Sequence, residues 1–427
     1  MNLRKEDYIM SNCELYGAAV VGQSGGPTSA INASLAGVIK ACIEDKKHID
    51  VLYGMENGIE GFLNEKLINL SGLFTLENGE ADTQKLDLLS TTPASALGSC
   101  RKKLPTVDNT EFYDNLISLF KKHNIRYFFY IGGNDSMDTV AKLSSYLEKT
   151  DYEMRVIGVP KTIDNDLMET DHTPGYGSAA KYIATTLQEV IRDCSVYTTK
   201  AVTIVEIMGR DSGWLTCAAA IGRIVTGYEP DYVYLPEIPF NMESFFEDIE
   251  NAFKKHPNVV IAVSEGANYG NGHYVGEGTQ SGAVDVFGHK YLEGTGKALE
   301  IAVKEKFGCK VRSIELNLPQ RCAAHLASKT DIDESFCCGY TAVTAAANGL
   351  TAQMISMKRK ASEEYSVEYL PISVYKVANE VKTVPKNFIN DRGNQVTDEC
   401  LEYILPLILG ETEVIYEKGL PKQLIIR

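Results

Sequence analysis

Short apolar runs that end on polar turns, with helical spacing between them, recur along this chain and limit what it can fold into. Tyr16 to Gly22 leads into Gln23-Ser24-Gly25-Gly26-Pro27, and Thr28 to Cys42 follows with helical spacing at Ile31, Leu35, Val38 and Ile39. Ile125 to Ile131 leads through Gly132-Gly133-Asn134-Asp135-Ser136 to a helix with Val140, Leu143 and Leu147 on one face. Arg155 to Val159 leads into Pro160-Lys161-Thr162-Ile163-Asp164-Asn165-Asp166. Ala201 to Ile207 ends at Met208-Gly209-Arg210, Val259 to Ser264 at Glu265-Gly266, and Lys310 to Leu316 precedes Pro319-Gln320-Arg321. Strands this apolar, alternating with helices, predict α/β architecture with a mainly parallel sheet covered on both faces. Ligands bind such sheets beyond the carboxyl ends of the strands, where all of these polar clusters fall.

The chain has 427 residues, room for two or three domains. We read a first lobe over 14–170, a second over 171–345 and a less regular C-terminal extension over 346–427. The polar stretch from Gly266 to Gly296, with Asn271-Gly272 and Gly276-Glu277-Gly278, reads as a long excursion on the second lobe. A net charge of -15 argues against nucleic acid or an anionic membrane as partner. Ten cysteines without a Cys-x-x-Cys pair fit a reducing compartment. With no apolar signal core in Met1 to Met10 and no run of membrane-spanning length, the expected location is the cytoplasm.

The two central turns carry the chemistry. Gly132 to Ser136 offers backbone freedom, and Asp135 or Ser136 alone would also read as a helix cap. The loop after Val159 is more telling, because a turn needs one Asx residue and this one brings Lys161, Thr162, Asp164 and Asp166 together. On an extended stretch Asp164 and Asp166 face the same side. One then serves as a base and the other faces Mg²⁺, which takes few carboxylates and keeps substrate oxygens. A fixed cation, carboxylates and backbone donors are the parts phosphoryl transfer needs. The turn at Gly25 suits an anion but is not a P-loop, and Gly294-Thr295-Gly296-Lys297 is followed by Ala298, so it is no P-loop either. Arg101, Arg210, Arg312 and Arg321 are candidate phosphate grips, and Glu265 a candidate for sugar hydroxyls.

Ser24-Gly25-Gly26, Gly132-Gly133-x-Asp135-Ser136, Pro160 to Asp166, Met208-Gly209-Arg210 and Pro319-Gln320-Arg321, in that order, resemble the motifs of the 6-phosphofructokinases. The resemblance implies two doubly wound lobes with the active site between them, donor on the first and fructose 6-phosphate largely on the second. It implies Mg²⁺ as cofactor and a homodimer or homotetramer. Carried over, Asp164 is the base for the sugar 1-hydroxyl, with Thr162 and Ile163 lining the site and Asp166 near the metal. Met208, Gly209, Arg210, Glu265 and Arg321 hold the sugar phosphate, Gly25 and Arg101 face the donor phosphates, and Arg312 reaches a sugar phosphate across a subunit interface.

Two positions separate the branches of that family. ATP-using members have glycine where this chain has Asp135 and Lys161; the pair resembles the pyrophosphate-dependent branch. A carboxylate about 4 Å from an ATP α-phosphate costs about 4 kcal/mol at an effective dielectric of ~20, roughly a thousandfold. Lys161 then offers a fixed charge to the transition state. Asn134 replaces a metal-contacting aspartate and still offers a carbonyl oxygen. Leu318, with Asn317 beside it, stands where a sugar-binding histidine is expected, and the allosteric site cannot be traced. The expected reaction is pyrophosphate-dependent phosphorylation of fructose 6-phosphate, in glycolysis and gluconeogenesis. The alternatives are the same chemistry with ATP and a non-catalytic sugar-phosphate sensor.

Overall fold

The computed structural model describes residues 15–277 and 294–426. The amino-terminal stretch Met1 to Met10 and most of the excursion between Gly266 and Gly296 lie outside the described residues. The strands of the first sheet are β1 (Gly17–Gln23), β2 (Ile49–Met55), β3 (Leu67–Asn69), β4 (Ile125–Gly132) and β5 (Arg155–Pro160). Those of the second are β6 (Ala201–Ile207), β7 (Tyr232–Tyr234), β8 (Asn258–Ser264) and β9 (Lys310–Glu315). Two further strands, β10 (Gln353–Arg359) and β11 (Val367–Ser373), come from the tail.

The first sheet has the order β11-β10-β5-β4-β1-β2-β3 and the second β7-β8-β6-β9. The second is parallel throughout. The first is parallel from β10 to β2, with antiparallel edges at β11 and β3. Every residue of β1 is buried, which is why its sequence reads as a continuous apolar run. Alternate side chains feed two cores. Ala19, Val21, Phe129, Ile131, Ile157 and Val159 enter one, and Ala18, Val20, Phe128, Tyr130 and Val156 the other.

The tail departs from its reading as an irregular extension. β10 pairs with β5 in parallel, Gln353 opposite Ile157 and Met354 opposite Gly158, and completes the first sheet. The helix Lys329–Ala347 packs against the helix Ile31–Glu44 in the same core. The approach is close: a Cβ on Gly37 would lie 2.0 Å from the Phe336 carbonyl oxygen, and one on Gly339 2.0 Å from that of Ser34.

Chain order reverses beside β1, with β2 on one side and β4 on the other, Gln23 opposite Ile131. The loops after β1 and β4 therefore diverge and leave a crevice at their carboxyl ends. β6 sits centrally in the second sheet and aims Met208-Gly209-Arg210 at the same crevice. No described helix is long and apolar enough to cross a membrane.

Candidate active site

The crevice holds a cavity of about 420 Å³ and a smaller one of about 190 Å³ that share Gly26, Arg101, Lys161, Thr162, Asp164 and Glu265. The larger is lined also by Gly25, Asn134, Asp135, Asp166 and Arg210, the smaller by Ile163, Met208 and Arg321. Gly209 stands beside them, its N–H donating to Glu265 Oε1 at 3.1 Å. Of the residues singled out in the sequence, Arg312 alone is elsewhere. It lines a separate depression with Asp193, Tyr197, Thr203 and Lys310, since it lies opposite Thr203 in mid-strand rather than at the exit of β9.

The loop after β5 is fixed at its root. Lys161 N–H donates to the Gly132 carbonyl (2.9 Å), Thr162 N–H to that of Pro174 (3.1 Å), and Thr173 Oγ1 to that of Thr162 (2.8 Å). Thr162 Oγ1 accepts from the Asp164 N–H at 3.1 Å and lies 3.4 Å from Asp164 Oδ2. Asp164 and Asp166 do share the cavity, but not as alternate residues of an extended strand. Asn165 between them is left-handed, with φ of 52°. The expected helix cap is absent too: the helix Asn134–Leu147 starts after Gly133 without a side-chain cap, and Asp135 instead pairs with Lys103 at 3.1 Å.

Ser24-Gly25-Gly26 differs from its expectation as well. The helix begins only at Ile31, and the Ser24 and Gly25 N–H groups donate to the Ile131 and Cys100 carbonyls. The turn offers shape instead. Gly25 has φ of 78°, a Cβ there would lie 3.4 Å from Lys161 Nζ, and one on Gly26 would lie 3.1 Å from an Arg321 guanidinium nitrogen. Two cations thus press on a bare backbone. Gly209 is equally constrained, with φ of 137° and only 2.4 Å between an added Cβ and the Ser212 carbonyl oxygen.

Burial sets the charges. The Lys161 ammonium, donating to the Gly26 carbonyl at 2.6 Å, is pulled down to about 8 by desolvation against the pull of Asp164. Desolvation raises Asp164, opposed by Lys161. It pushes Asp166 up to about 7, with Asp164 adding to it, and Glu265 up to about 8. Burial and the neighbouring Arg101 lower Arg321. A pocket holding Arg101, Lys161 and Arg321 together with crowded carboxylates is built for an anion that arrives with a cation.

A metal fits this donor set. Asn134 Nδ2 donates to the Glu380 carbonyl (2.9 Å), while its Oδ1 is buried with no partner. A partnerless amide oxygen and a buried carboxyl on the same cavity are the few hard oxygen donors Mg²⁺ takes from a protein. No cluster of three or more His, Cys, Asp or Glu suited to an all-protein site occurs among the described residues.

Sequence reasoning missed Asp211, Ser212, Asn379 and Val381, which all line the larger cavity. Asp211 and Ser212 follow a recognised strand end and were within reach of that logic. Asn379 and Val381 sit in an irregular part of the tail with no periodic signal.

Two doubly wound lobes closing on a buried lysine, two carboxylates and a set of arginines define a phosphoryl-transfer enzyme of the α/β class. The chain belongs to the phosphofructokinase family, whose pattern it matches over residues 18–361. A pyrophosphate–fructose 6-phosphate 1-phosphotransferase of Halomonas elongata is 42% identical over 409 residues, 95% of this chain and 94% of its own. One of Methylococcus capsulatus is 36% identical, covering 94% of each. The crystal structure of a pyrophosphate-dependent phosphofructokinase from Nitrosospira multiformis superposes with a TM-score of 0.85 at 36% identity, over 95% of both chains.

Proposed function

We propose that this protein transfers a phosphoryl group from pyrophosphate to the 1-hydroxyl of fructose 6-phosphate, giving fructose 1,6-bisphosphate and phosphate. The observation that carries the reading is the buried Lys161 ammonium facing Asp164 in one cavity, with Asp135 at the start of the neighbouring helix. The relatives matched over nearly their whole length, which are pyrophosphate–fructose 6-phosphate 1-phosphotransferases, support the same donor and acceptor.

In this reading Asp164 takes the proton of the 1-hydroxyl and returns it in the reverse reaction. Thr162 orients that carboxylate. Lys161, anchored on the Gly26 carbonyl, holds its charge where the transferring phosphoryl group becomes more negative. Gly25 and Arg101 receive the donor phosphates. Arg210 and Arg321 hold the sugar phosphate, Met208 and Gly209 shape its pocket, and Glu265, largely protonated at neutral pH, donates to a sugar hydroxyl. Asn134 and Asp166 would hold Mg²⁺, which when bound supplies charge neutralisation to the phosphates. Arg312, outside the cavity, serves a neighbouring subunit of a cytoplasmic homo-oligomer. Donor and product have similar transfer potential, so the reaction runs both ways.

The test is turnover of purified protein with each donor. Fructose 1,6-bisphosphate formed with pyrophosphate and not with ATP supports the assignment; robust turnover with ATP alone overturns it.

A further inference from the structure

Asn165, between Asp164 and Asp166, is fully buried and left-handed. Asparagine adopts this conformation more readily than other non-glycine residues, so what sets Asn165 apart is that its buried amide is held on both sides. Its partners come from the far end of the chain. Lys382 Nζ donates to Asn165 Oδ1 at 3.2 Å, and Asn165 Nδ2 donates to the Tyr403 hydroxyl at 3.1 Å. The same two side chains fasten the loop downstream. Lys382 Nζ also donates to the Thr170 and Asp171 carbonyls, at 3.1 and 2.8 Å, and the Tyr403 hydroxyl donates to that of Asp171 at 2.7 Å. All three ammonium hydrogens of Lys382 are thereby matched to acceptors. Its backbone N–H donates to the Asp166 carbonyl at 2.8 Å, and its own carbonyl accepts from the Trp214 indole N–H at 3.0 Å. From the second lobe, Ser212 Oγ donates to the Asp164 carbonyl at 3.1 Å.

We infer that Lys382 and Tyr403 are positioning residues for the reaction: they hold Asn165 left-handed and so set how Asp164 and Asp166 face the cavity. Neither touches the cavity. An Asn165 relaxed to extended backbone re-aims one carboxylate relative to the other, and a misplacement of about 1 Å is enough to cost catalysis heavily. The inference rests on the reading of Asp164 as the base.

The experiment compares Lys382→Met, Tyr403→Phe, Asn165→Ala and the double variant Lys382→Met/Asn165→Ala with the parent, each assayed with pyrophosphate and with ATP. Arg392→Met, which removes the surface partner of Asp248, is the control for a purely structural loss. Expected are a fall in kcat of about tenfold for Lys382→Met and about threefold for Tyr403→Phe, with KM for fructose 6-phosphate within about twofold. The double variant loses less than the product of the two single losses, because Lys382 and Asn165 share one hydrogen bond. The inference is overturned if folded Lys382→Met and Tyr403→Phe keep parental kcat. It is equally overturned if their losses only track melting temperature as in Arg392→Met. Should Lys382→Met not fold, Tyr403→Phe decides. Parent turnover reports on the proposed reaction and the variant-to-parent ratio on the clamp, so the two are read separately.

Discussion

Lys103 and Asp135 pair at 3.1 Å at the cavity wall, and each side chain is nearly half exposed, 47% and 42%. The carboxylate that the sequence resemblance sets against a nucleotide donor is therefore solvated and partly neutralised. Its repulsion of a nucleotide phosphate belongs nearer the aqueous limit of about 1 kcal/mol at 4 Å than the ~4 kcal/mol of a protein-like dielectric.

Asp135→Gly should accordingly raise kcat/KM with ATP by about fivefold rather than a thousandfold. Pyrophosphate turnover should change less. Measuring both donors on the same preparation checks this, and a full switch to ATP would show that the carboxylate acts at a much lower local dielectric.

Lys161→Met should lower kcat with pyrophosphate by about 10²–10³, the size of one preorganised electrostatic contact, and leave the sugar-phosphate KM nearly unchanged. Because the Lys161 ammonium is drawn down to about 8, kcat/KM should decline above that pH as the charge is lost. Lys161→Arg should move that alkaline limb upward in a pH–rate profile.

Asp164→Asn should reduce turnover in both directions by about 10²–10⁴, since one group is base forward and acid in reverse. Equal losses in the two directions, measured in separate forward and reverse assays, distinguish this from a binding defect on one side.

Glu265 gives the ligand-free protein a pH-dependent stability. Its folded value is raised from 4.5 to about 8 by burial, so its contribution is fully present below 4.5 and lost as pH rises through about 8. Asp166, raised from 3.8 to about 7, acts in the same direction. Lys161, lowered from 10.5 to about 8, acts in the opposite direction and only above about 8. The melting temperature should fall between pH 5.5 and 8, and less so in Glu265→Gln.

Gly339→Val should destabilise the protein by about 1–3 kcal/mol, because a side chain there meets the Ser34 carbonyl oxygen on the facing helix. Denaturant titration of the variant checks this.

The catalytic crevice was legible because its parts sit at strand exits, where a polar cluster interrupts an apolar run: Gly132 to Ser136, Lys161 to Asp166 and Met208 to Arg210 all announce themselves this way. β10 did not, although Gln353 to Met357 is wholly buried, because no periodic helix follows it: the chain returns directly as the antiparallel strand β11, outside the strand–turn–helix pattern. Arg312 is close to Arg321 in sequence but not in the fold, because it lies in mid-β9 opposite Thr203 while Arg321 lies beyond the strand's exit. For Asn165 the residue type permits the left-handed turn, but the partners of its amide, Lys382 and Tyr403, lie more than 200 positions downstream and no local pattern points to them.

The pairing of β10 with β5 also orders events during biosynthesis. Until residues 353–359 emerge from the ribosome, the strand that launches Lys161, Asp164 and Asp166 is a bare sheet edge, open to any other extended chain. A nascent or prematurely terminated polypeptide that stops short of that point has every motif of the crevice and none of its closing strand. The strand that carries the site's lysine and aspartates thus depends for its second neighbour on residues about 200 positions away.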